Sequence, residues 1–299
     1  MAKAVLTTRV ESSYDDVREV RYHFPRTYLR AMEATVGDWI VYYEPRRLSD
    51  TRQGGRMVYF AIAKVERIEP DPRRPDHFYA HLSGYLEFAR AVPFQEGDFY
   101  YESALRRPDG RTSKGAFGRA VRLIPDAEFE LILQAGFAQT LGASVPAREG
   151  LLLPAGFGEA PATFDRPVIE RLVARPFRDA AFAAAVKEAY EGTCAVTGIR
   201  LINGGGRTEV QAAHIRPVAD RGPDSVRNGI ALSGTIHWMF DRGLISITDD
   251  YRILLAKGRV PDQVEKLVLP ERRLRLPANP NLLPHPQFLR YHRARVFIG

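Results

Sequence analysis

Cysteine and long apolar runs are almost missing from this 299-residue chain, and their scarcity excludes several classes of protein. Cys194 is the single cysteine, so the chain can form neither an internal disulfide nor a cysteine-rich zinc ribbon. No stretch approaches the roughly 18 consecutive apolar residues of a membrane-spanning helix. Residues 1–9 also lack the apolar segment of a signal peptide. We therefore expect a cytoplasmic protein in a reducing environment, with no membrane partner.

Lysine is also scarce: of the 43 basic residues, 37 are arginine. The guanidinium group can bind phosphate oxygens in a bidentate manner, so an arginine excess suits a polyanionic partner. The excess lies in the second half of the chain. Residues 1–150 carry 22 basic and 21 acidic side chains, whereas residues 151–299 carry 21 and 15. This distribution permits nucleic-acid binding, although many arginine-rich proteins have no such partner.

The length and the element pattern predict two domains of the α+β class. A chain of 299 residues is at the limit of a single hydrophobic core. Strand patterns dominate the first half, at 36–43, 57–69 and 78–88, with helices at 27–34 and 126–138. A stretch rich in Gly, Ala and Pro follows and predicts a linker. We assign residues 1–138 to the first domain, 139–167 to the linker and 168–299 to the second domain.

The second domain mixes helices with short strands. A helix predicted over 176–190 precedes strands at 207–213 and 230–233 and a further helix at 235–242. A hairpin over 244–256 turns at Asp249-Asp250, and a helix near 286–297 ends the pattern.

Three polar side chains mark the strand–loop–strand–helix segment of the second domain. His214 ends the first strand, Asn228 precedes the second, and His237 lies in the helix, with Asp241 one turn further along the same face. Phosphodiester hydrolysis needs a base with a pKa near neutral, which suits an imidazole. It also needs a cation to neutralise the phosphate, which an imidazole and a carboxylate can hold. Taken singly these residues are ordinary structural ones, but their order together indicates a hydrolytic site.

This segment resembles the HNH endonuclease family, also called the ββα-metal nucleases. The resemblance rests on Ala213-His214-Ile215, on the run from Arg227 to Leu232, and on the run from His237 to Leu244. It implies that His214 is the general base and that Asn228 orients it. It also implies that His237 binds a divalent metal ion, Mg²⁺ or Mn²⁺, and that Asp241 is either a second ligand or a support for the ligand.

Two positions depart from the pattern of many HNH nucleases. Ala213 stands where many members carry a metal-binding Asp or His, so water or the scissile phosphate would complete the coordination. The run Cys194-Ala-Val-Thr197 lacks the second cysteine of a zinc knuckle. We therefore expect no structural zinc, and we expect Cys194 to be a buried small hydrophobe.

The first domain resembles, more loosely, the EVE branch of the PUA-like β-barrels. The resemblance covers about residues 20–125 and rests on Gly37-Asp38 before an aromatic strand and on a second strand that ends in an acidic, proline-containing turn. It implies a reader that flips a modified base into an aromatic pocket, where stacking offsets the cost of unstacking. Strand alternation predicts that Trp39 and Tyr43 share a face and that Tyr42 lies on the other, while most aromatics on such strands are core. The pocket candidates are Trp39, Tyr42, Tyr43, His23, Tyr59 and Tyr85.

Together the two resemblances predict a modification-dependent restriction endonuclease. It would recognise 5-methyl- or 5-hydroxymethylcytosine in double-stranded DNA, and cutting of both strands favours a homodimer. Other interpretations stay open: an HNH nuclease for an unmodified sequence or an RNA-containing duplex, a non-catalytic nucleic-acid reader, and an RNA-binding PUA protein. The candidate phosphate contacts are Arg46, Arg47, Arg216, Arg221 and Arg227.

Overall fold

The computed structural model describes residues 2–8, 16–46, 54–144 and 175–299. Contacts divide the chain into two compact units. The first comprises Met1–Asp16, Tyr22–Gly84 and Phe88–Ala181, and the second comprises Val17–Arg21, Tyr85–Glu87 and Phe182–Gly299. Most of the predicted linker, residues 145–167, lies outside the described residues. In the described part of the chain, no helix combines the length and the apolar character needed to cross a membrane.

The first unit is organised around a six-stranded sheet with the spatial order β2-β5-β4-β3-β1-β8. β1 runs parallel to β3 and antiparallel to β8. A separate two-stranded sheet pairs β6 with β7. The strands are β1 (Lys3–Thr7), β2 (Arg21–Pro25), β3 (Trp39–Glu44), β4 (Val58–Pro70), β5 (His77–Pro93), β6 (Gln95–Glu96), β7 (Phe99–Tyr100) and β8 (Val121–Ile124).

β3, β4 and β5 confirm the three strands predicted for the first half, whereas β1, β2 and β8 were not predicted. The turn into β3 uses Gly37 at φ 83°, a backbone conformation that favours glycine. Asp38 pairs with Lys3 and accepts a hydrogen bond from the Trp39 amide at 2.8 Å. The pairing of β3 with β4 shifts register between Tyr42 and Tyr43. The extra residue lies in β4, because Tyr42 and Tyr43 pair with Ala61 and Tyr59 and leave Phe60 between these partners. Both tyrosines are buried.

Helices α1 (Leu29–Glu33), α2 (Lys114–Phe117) and α3 (Asp126–Ser144) complete the first unit. α3 confirms the helix predicted at 126–138 and continues beyond it. It buries Phe129, Ile132, Leu133 and Phe137, which recur at the spacing of one helix face. A Cβ on Gly136 would lie 2.5 Å from the ring of Phe88, so the glycine allows this helix to pack closely.

The C-terminal part of the chain contains the ββα segment that the sequence predicted. β9 is shorter than predicted and begins at Gln211, because residues 207–209 pair with 201–203: Thr208 forms an isolated bridge with Ile202, and the amide of Glu209 donates to the carbonyl of Leu201 at 3.0 Å. With the first unit's sheet, these elements confirm the α+β class. They are α4 (Arg175–Ala189), β9 (Gln211–His214), β10 (Gly229–Leu232), α5 (Gly234–Asp241), β11 (Ile245–Ile247), β12 (Ile253–Leu255), α6 (Asp262–Glu265) and α7 (Pro286–Arg295).

The core of the second unit determines which side of α5 faces outward. Ile236, Met239 and Phe240 are buried, and their spacing of three and four residues defines one helix face. The faces that carry His237 and Asp241 therefore point away from the core. Cys194 is fully buried among apolar neighbours, as expected from the sequence.

Candidate active site

The candidate site is built on the antiparallel pair of β9 and β10, in which His214 lies opposite Gly229. The pairing continues one step further, where the amide of Ile215 donates to the carbonyl of Asn228 at 2.8 Å. A Cβ on Gly229 would lie 2.5 Å from Val186 and 3.0 Å from the ring of Phe182. Because position 229 is a glycine, α4 packs tightly against the hairpin and brings Phe182 to the end of β9.

The imidazole of His214 is held by a carboxylate and by an aromatic ring. Its Nε2 lies 2.9 Å from Oδ1 of Asp224. One face of the ring stacks on Phe182, with 3.9 Å between centroids and 13° between planes. The His214 side chain is 19% exposed, whereas that of Asp224 is 2% exposed. The imidazole is thus fixed in place and remains reachable from solvent.

Asn228 does not orient His214 by bonding to its ring. Its Oδ1 accepts from the amide of Arg216 at 2.9 Å, and its Nδ2 donates to the carbonyls of Arg216 at 3.0 Å and of Pro223 at 2.9 Å. Arg216 lies two residues after His214, and Pro223 directly precedes Asp224. The buried amide therefore closes the loop whose two ends carry the imidazole and its carboxylate partner.

The loop closed by Asn228 is compact. A Cβ on Gly222 would lie 1.8 Å from the carbonyl oxygen of Arg216, so only glycine fits there. The guanidinium of Arg216 lies over the ring of Tyr291 at 4.8 Å, and its Nε donates to the carbonyl of Asp220 at 2.7 Å. Arg221 adopts φ 63° at the exposed tip.

Within the second unit, two buried carboxylates hold the stretch that follows Asp224. Nη1 of Arg227 donates to Glu19 at 3.1 Å, and the amide of Val226 donates to Glu87 at 3.3 Å. Burial raises the pKa of Glu87. Burial acts on Glu19 in the same direction and is the largest single effect, but the charges of Arg227 and Arg18 and a backbone hydrogen bond together outweigh it, so the pKa of Glu19 lies below its ordinary value. These two contacts fix the stretch after Asp224, and Asn228 holds the backbone directly before it.

His237 has partners at both ring nitrogens. Its Nδ1 lies 2.8 Å from Oε1 of Gln211, at the start of β9. Its Nε2 lies 3.5 Å from Oδ2 of Asp241, one helical turn away. The side chain of His237 is 22% exposed and that of Asp241 is 56% exposed. The predicted pair of ligands thus shares the outward side of α5.

The candidate metal site on α5 offers two protein ligands, His237 and Asp241. Among the described residues, no group of three or more His, Cys, Asp or Glu side chains is placed to hold a metal ion. Ala213 is fully buried. The carboxylate oxygen suits Mg²⁺ or Mn²⁺, and the imidazole nitrogen suits a transition-metal ion, so the pair fits a divalent ion that takes its other ligands from water and phosphate.

Three residues that contact these histidines were not predicted from the sequence: Asp224, Gln211 and Phe182. Each contacts its histidine across a gap of 10 to 32 residues. No spacing rule in the sequence marks them. For Gln211, the one available signal was its position on the strand that ends in His214.

The structure buries most of the predicted base-pocket residues. Tyr42, Tyr43, Tyr59 and Tyr85 are fully buried, and His23 is 3% exposed and lies 3.0 Å from the carboxylate of Asp71. Tyr85 belongs to the second unit, where its hydroxyl donates to Glu87 at 3.2 Å.

Trp39 differs from the other pocket candidates because it is only partly buried. A Cβ on Gly84 would lie 2.9 Å from its ring, so the indole packs closely over this glycine. Gly84 has φ 60°, which also favours glycine.

Tyr43 and Tyr59 border a buried ion pair of the first unit. Arg122 makes a bidentate contact with Glu102, at 2.7 and 2.8 Å, and the Tyr59 hydroxyl donates to the same carboxylate at 2.7 Å. The guanidinium lies 5.2 Å from the centroid of the Tyr43 ring. Burial, together with the neighbouring Glu102 carboxylate, raises the pKa of Tyr59.

The candidate phosphate contacts fall into different settings. Arg46 and Arg221 are exposed, and Arg216 is partly buried, with its guanidinium over the ring of Tyr291. Arg227 is bound to Glu19, which leaves its side chain 16% exposed. Arg47 lies outside the described residues.

Residues 194–248 match the HNH endonuclease family. The match includes β9, β10 and α5, and it confirms the resemblance predicted from the sequence. The C-terminal part of the chain therefore carries an HNH endonuclease domain. No curated protein matches the chain.

The solved structures that are similar to this chain include the following three. The modification-dependent TagI restriction endonuclease is 15% identical, with a TM-score of 0.33, over 98% of this chain and 81% of that one. The N-terminal domain of Staphylothermus marinus McrB is 12% identical, with a TM-score of 0.29, over 45% of this chain and 94% of that one. The type IV phosphorothioation-dependent restriction endonuclease ScoMcrA is 14% identical, with a TM-score of 0.19, over 79% and 48%.

Proposed function

We propose that this chain is a modification-dependent restriction endonuclease that hydrolyses double-stranded DNA near a modified cytosine, using one metal ion. One observation carries the catalytic half of the proposal. Within the segment that matches HNH endonucleases, the imidazole of His214 is fixed at a strand end, and α5 presents His237 and Asp241 outward.

His214 would be the general base. Its ring is partly exposed and fixed by two neighbours, so it can take a proton from a water molecule aligned with the phosphorus atom. Asn228 would act as a positioning residue, because its hydrogen bonds join the backbone on both sides of the loop that links His214 to Asp224.

His237 and Asp241 would hold the divalent ion, Mg²⁺ or Mn²⁺. The ion would neutralise the charge that builds on the phosphate oxygens during hydrolysis. Gln211 supports this role: its amide oxygen accepts from Nδ1 of His237, so the neutral imidazole carries its lone pair on Nε2. That nitrogen is the one nearest Asp241.

The first unit would read the modified base. This half of the proposal rests on the resemblance of residues 20–125 to EVE domains and on the aromatic residues of β3 and β4. Trp39 is the preferred stacking residue, because its ring is partly exposed on the strand, whereas Tyr42, Tyr43 and Tyr59 are buried in the core. The modification read would be 5-methyl- or 5-hydroxymethylcytosine.

Two further parts of the proposal concern phosphate binding and assembly. Arg46, Arg216 and Arg221 would contact the DNA backbone, whereas Arg227 is engaged by Glu19. A single nuclease site cuts one strand, so cleavage of both strands would require a homodimer or a transient pair of molecules.

A cleavage panel tests the proposal. Duplexes of one sequence, carrying cytosine, 5-methylcytosine, 5-hydroxymethylcytosine or glucosylated 5-hydroxymethylcytosine, are incubated with the protein and Mg²⁺, Mn²⁺ or EDTA. We expect metal-dependent cleavage of modified duplexes only. The matched control is Asp262→Asn, which removes an exposed carboxylate from α6 and is expected to cut like the wild type.

The panel also distinguishes the competing functions. Equal cleavage of all four duplexes would remove the claim of modification dependence and leave an HNH nuclease of another specificity. Tight binding of modified duplexes without cleavage in any metal would favour a non-catalytic reader. The pair of ligands on α5, without a third His, Cys, Asp or Glu among the described residues, is the observation that favours this second candidate.

A further inference from the structure

Asp224 is a buried carboxylate that the HNH resemblance does not use. It is 3% exposed and lies in the loop between the two strands of the ββα segment, ten residues after His214. Burying a carboxylate is costly unless a donor compensates it. Its Oδ1 lies 2.9 Å from Nε2 of His214.

We propose that Asp224 is a positioning residue that fixes His214 in the tautomer protonated on Nε2, so that Nδ1 is the atom that accepts the proton from water. This inference rests on the proposed nuclease function and names the reacting atom within it. An ionised carboxylate is only an acceptor, so the hydrogen atom between the two groups belongs to Nε2. A neutral imidazole has one N–H, which leaves the lone pair on Nδ1.

The two contacts of His214 restrict different motions of its ring. Stacking on Phe182, with 13° between planes, fixes the tilt of the imidazole. The hydrogen bond to Asp224 fixes its rotation within that plane. Together they define one direction for the Nδ1 lone pair before substrate arrives, which is the preorganisation that a general base needs.

The position of Asp224 is itself defined by its neighbours within the second unit. Asn228 bonds to the carbonyl of Pro223, directly before it. Glu87 accepts from the amide of Val226, and Leu86 forms a parallel bridge with Asp224. The backbone that carries the carboxylate is thus anchored on both sides by contacts that do not involve His214.

The proposed step is the attack of a water molecule on the phosphorus atom, with His214 as the base. One O–H bond of the attacking water breaks, and its proton moves to Nδ1 of His214. The water oxygen forms a bond to phosphorus, and the bond from phosphorus to the leaving oxygen breaks, with its electron pair going to that oxygen, which takes a proton from solvent. The resulting imidazolium donates through Nε2 to Asp224, whose negative charge stabilises it.

Two measurements test the proposal. In the first, histidine is labelled with ¹⁵N, and the tautomer of His214 is read from ring NMR shifts near pH 8, above the ordinary histidine pKa of about 6.5. The signals of His214 are identified by their loss in His214→Ala. We expect the wild type to be protonated on Nε2, and Asp224→Asn to show Nδ1 protonation as well.

In the second, kcat and KM for the modified duplex are compared among the wild type, Asp224→Asn and Asp224→Ala. We expect kcat to fall by at least ~10²-fold in both variants, because the wrong tautomer becomes populated, and KM to stay within about threefold. The control Asp262→Asn removes the same charge from an exposed site and is expected to change neither constant.

The outcomes separate the inference from the proposed function. Protonation of wild-type His214 on Nδ1, or an Asp224→Asn variant with wild-type kcat, would overturn the role of Asp224. A wild-type protein that cuts no duplex would refute the nuclease proposal, while the NMR experiment still decides the tautomer. If Asp224→Ala fails to fold, the test relies on the near-isosteric variant Asp224→Asn and on the NMR spectrum of the wild type.

Discussion

Gln211 and His237 are joined by a 2.8 Å hydrogen bond between Oε1 and Nδ1, although 26 residues separate them in the chain. The bond links the first residue of β9 to the helix that carries the proposed metal ligands. The two ring nitrogens of His237 therefore differ in their partners: Nδ1 bonds to Gln211, and Nε2 faces Asp241.

Replacing Gln211 should weaken metal binding. Gln211→Ala frees the ring of His237, and we expect the Mg²⁺ or Mn²⁺ concentration for half-maximal cleavage to rise by about 10- to 100-fold. Gln211→Glu keeps an acceptor for Nδ1 and should stay near the wild type. A metal titration of cleavage measures both, with the exposed Thr235→Ala on the same helix as control. Unchanged metal dependence in Gln211→Ala would contradict this role.

Asn228→Ala should lower stability and activity together. The variant loses three hydrogen bonds to backbone groups of the loop, which we expect to cost about 2–4 kcal/mol of the free energy of unfolding. Asn228→Asp keeps the acceptor for the amide of Arg216 but sets an oxygen against two carbonyls, so it should be equally harmful. Urea unfolding and cleavage rates test this. An Asp variant as stable as the wild type would show that the bonds donated by Nδ2 contribute little.

Removing one partner of the Glu102–Arg122 ion pair should lower the free energy of unfolding more than replacing both partners with apolar side chains. Both side chains are at most 5% exposed, so removal of one leaves the other charged and buried. We expect Glu102→Leu or Arg122→Met alone to cost about 3–5 kcal/mol, and the two replacements together to cost less than either. Denaturant unfolding of the four proteins supplies the double-mutant cycle. Additive losses would mean that the two side chains act independently.

His292 should make the protein less stable in acid. Burial lowers its pKa to about 4, and the neutral ring donates from Nε2 to the Phe240 carbonyl and accepts at Nδ1 from Ser246. Because the unfolded chain binds this proton near pH 6.5 and the folded chain near pH 4, stability is lost as pH falls through that interval. The slope is at most about 1.4 kcal/mol per pH unit for one proton.

The measurement for His292 is the free energy of unfolding between pH 7 and pH 4, in the wild type and in His292→Gln. The variant removes the titrating group but keeps a side-chain donor. We expect a shallower loss of stability in the variant. His285, whose pKa burial also lowers to about 4, should keep part of the slope. Identical slopes in the two proteins would exclude His292 as a source of the acid sensitivity.

The elements of the site were predictable from the sequence, because each has a local pattern. Apolar residues at positions 236, 239 and 240 recur at helical spacing and place His237 on the outer side of α5. The positions of His214 and Asn228 on the hairpin, and of His237 on the helix, were predictable because the strands and the helix each have a local pattern. Strands β1 and β8 were not, since Lys3–Thr7 and Val121–Ile124 are short runs whose burial depends on pairing with each other.

The side chains that contact His214 and His237 could not be predicted from the sequence. Asp224 sits in a loop rich in turn residues, where an aspartate ordinarily bonds to its own backbone. Its contact with His214 exists because Asn228 closes the loop. Strand alternation places Tyr42 and Tyr43 on opposite faces of β3, and both are buried. The residues of β3 alone do not show which of these faces the rest of the chain covers.

The most direct test of the central claim is cleavage of a 5-methylcytosine duplex by wild-type protein and by His214→Ala, in the same metal and with DNA affinity measured in parallel. We expect the variant to bind the duplex with a Kd within about threefold of the wild type and to cut it at least ~10²-fold more slowly, since only the base is lost. Cleavage by His214→Ala at the wild-type rate would contradict the account.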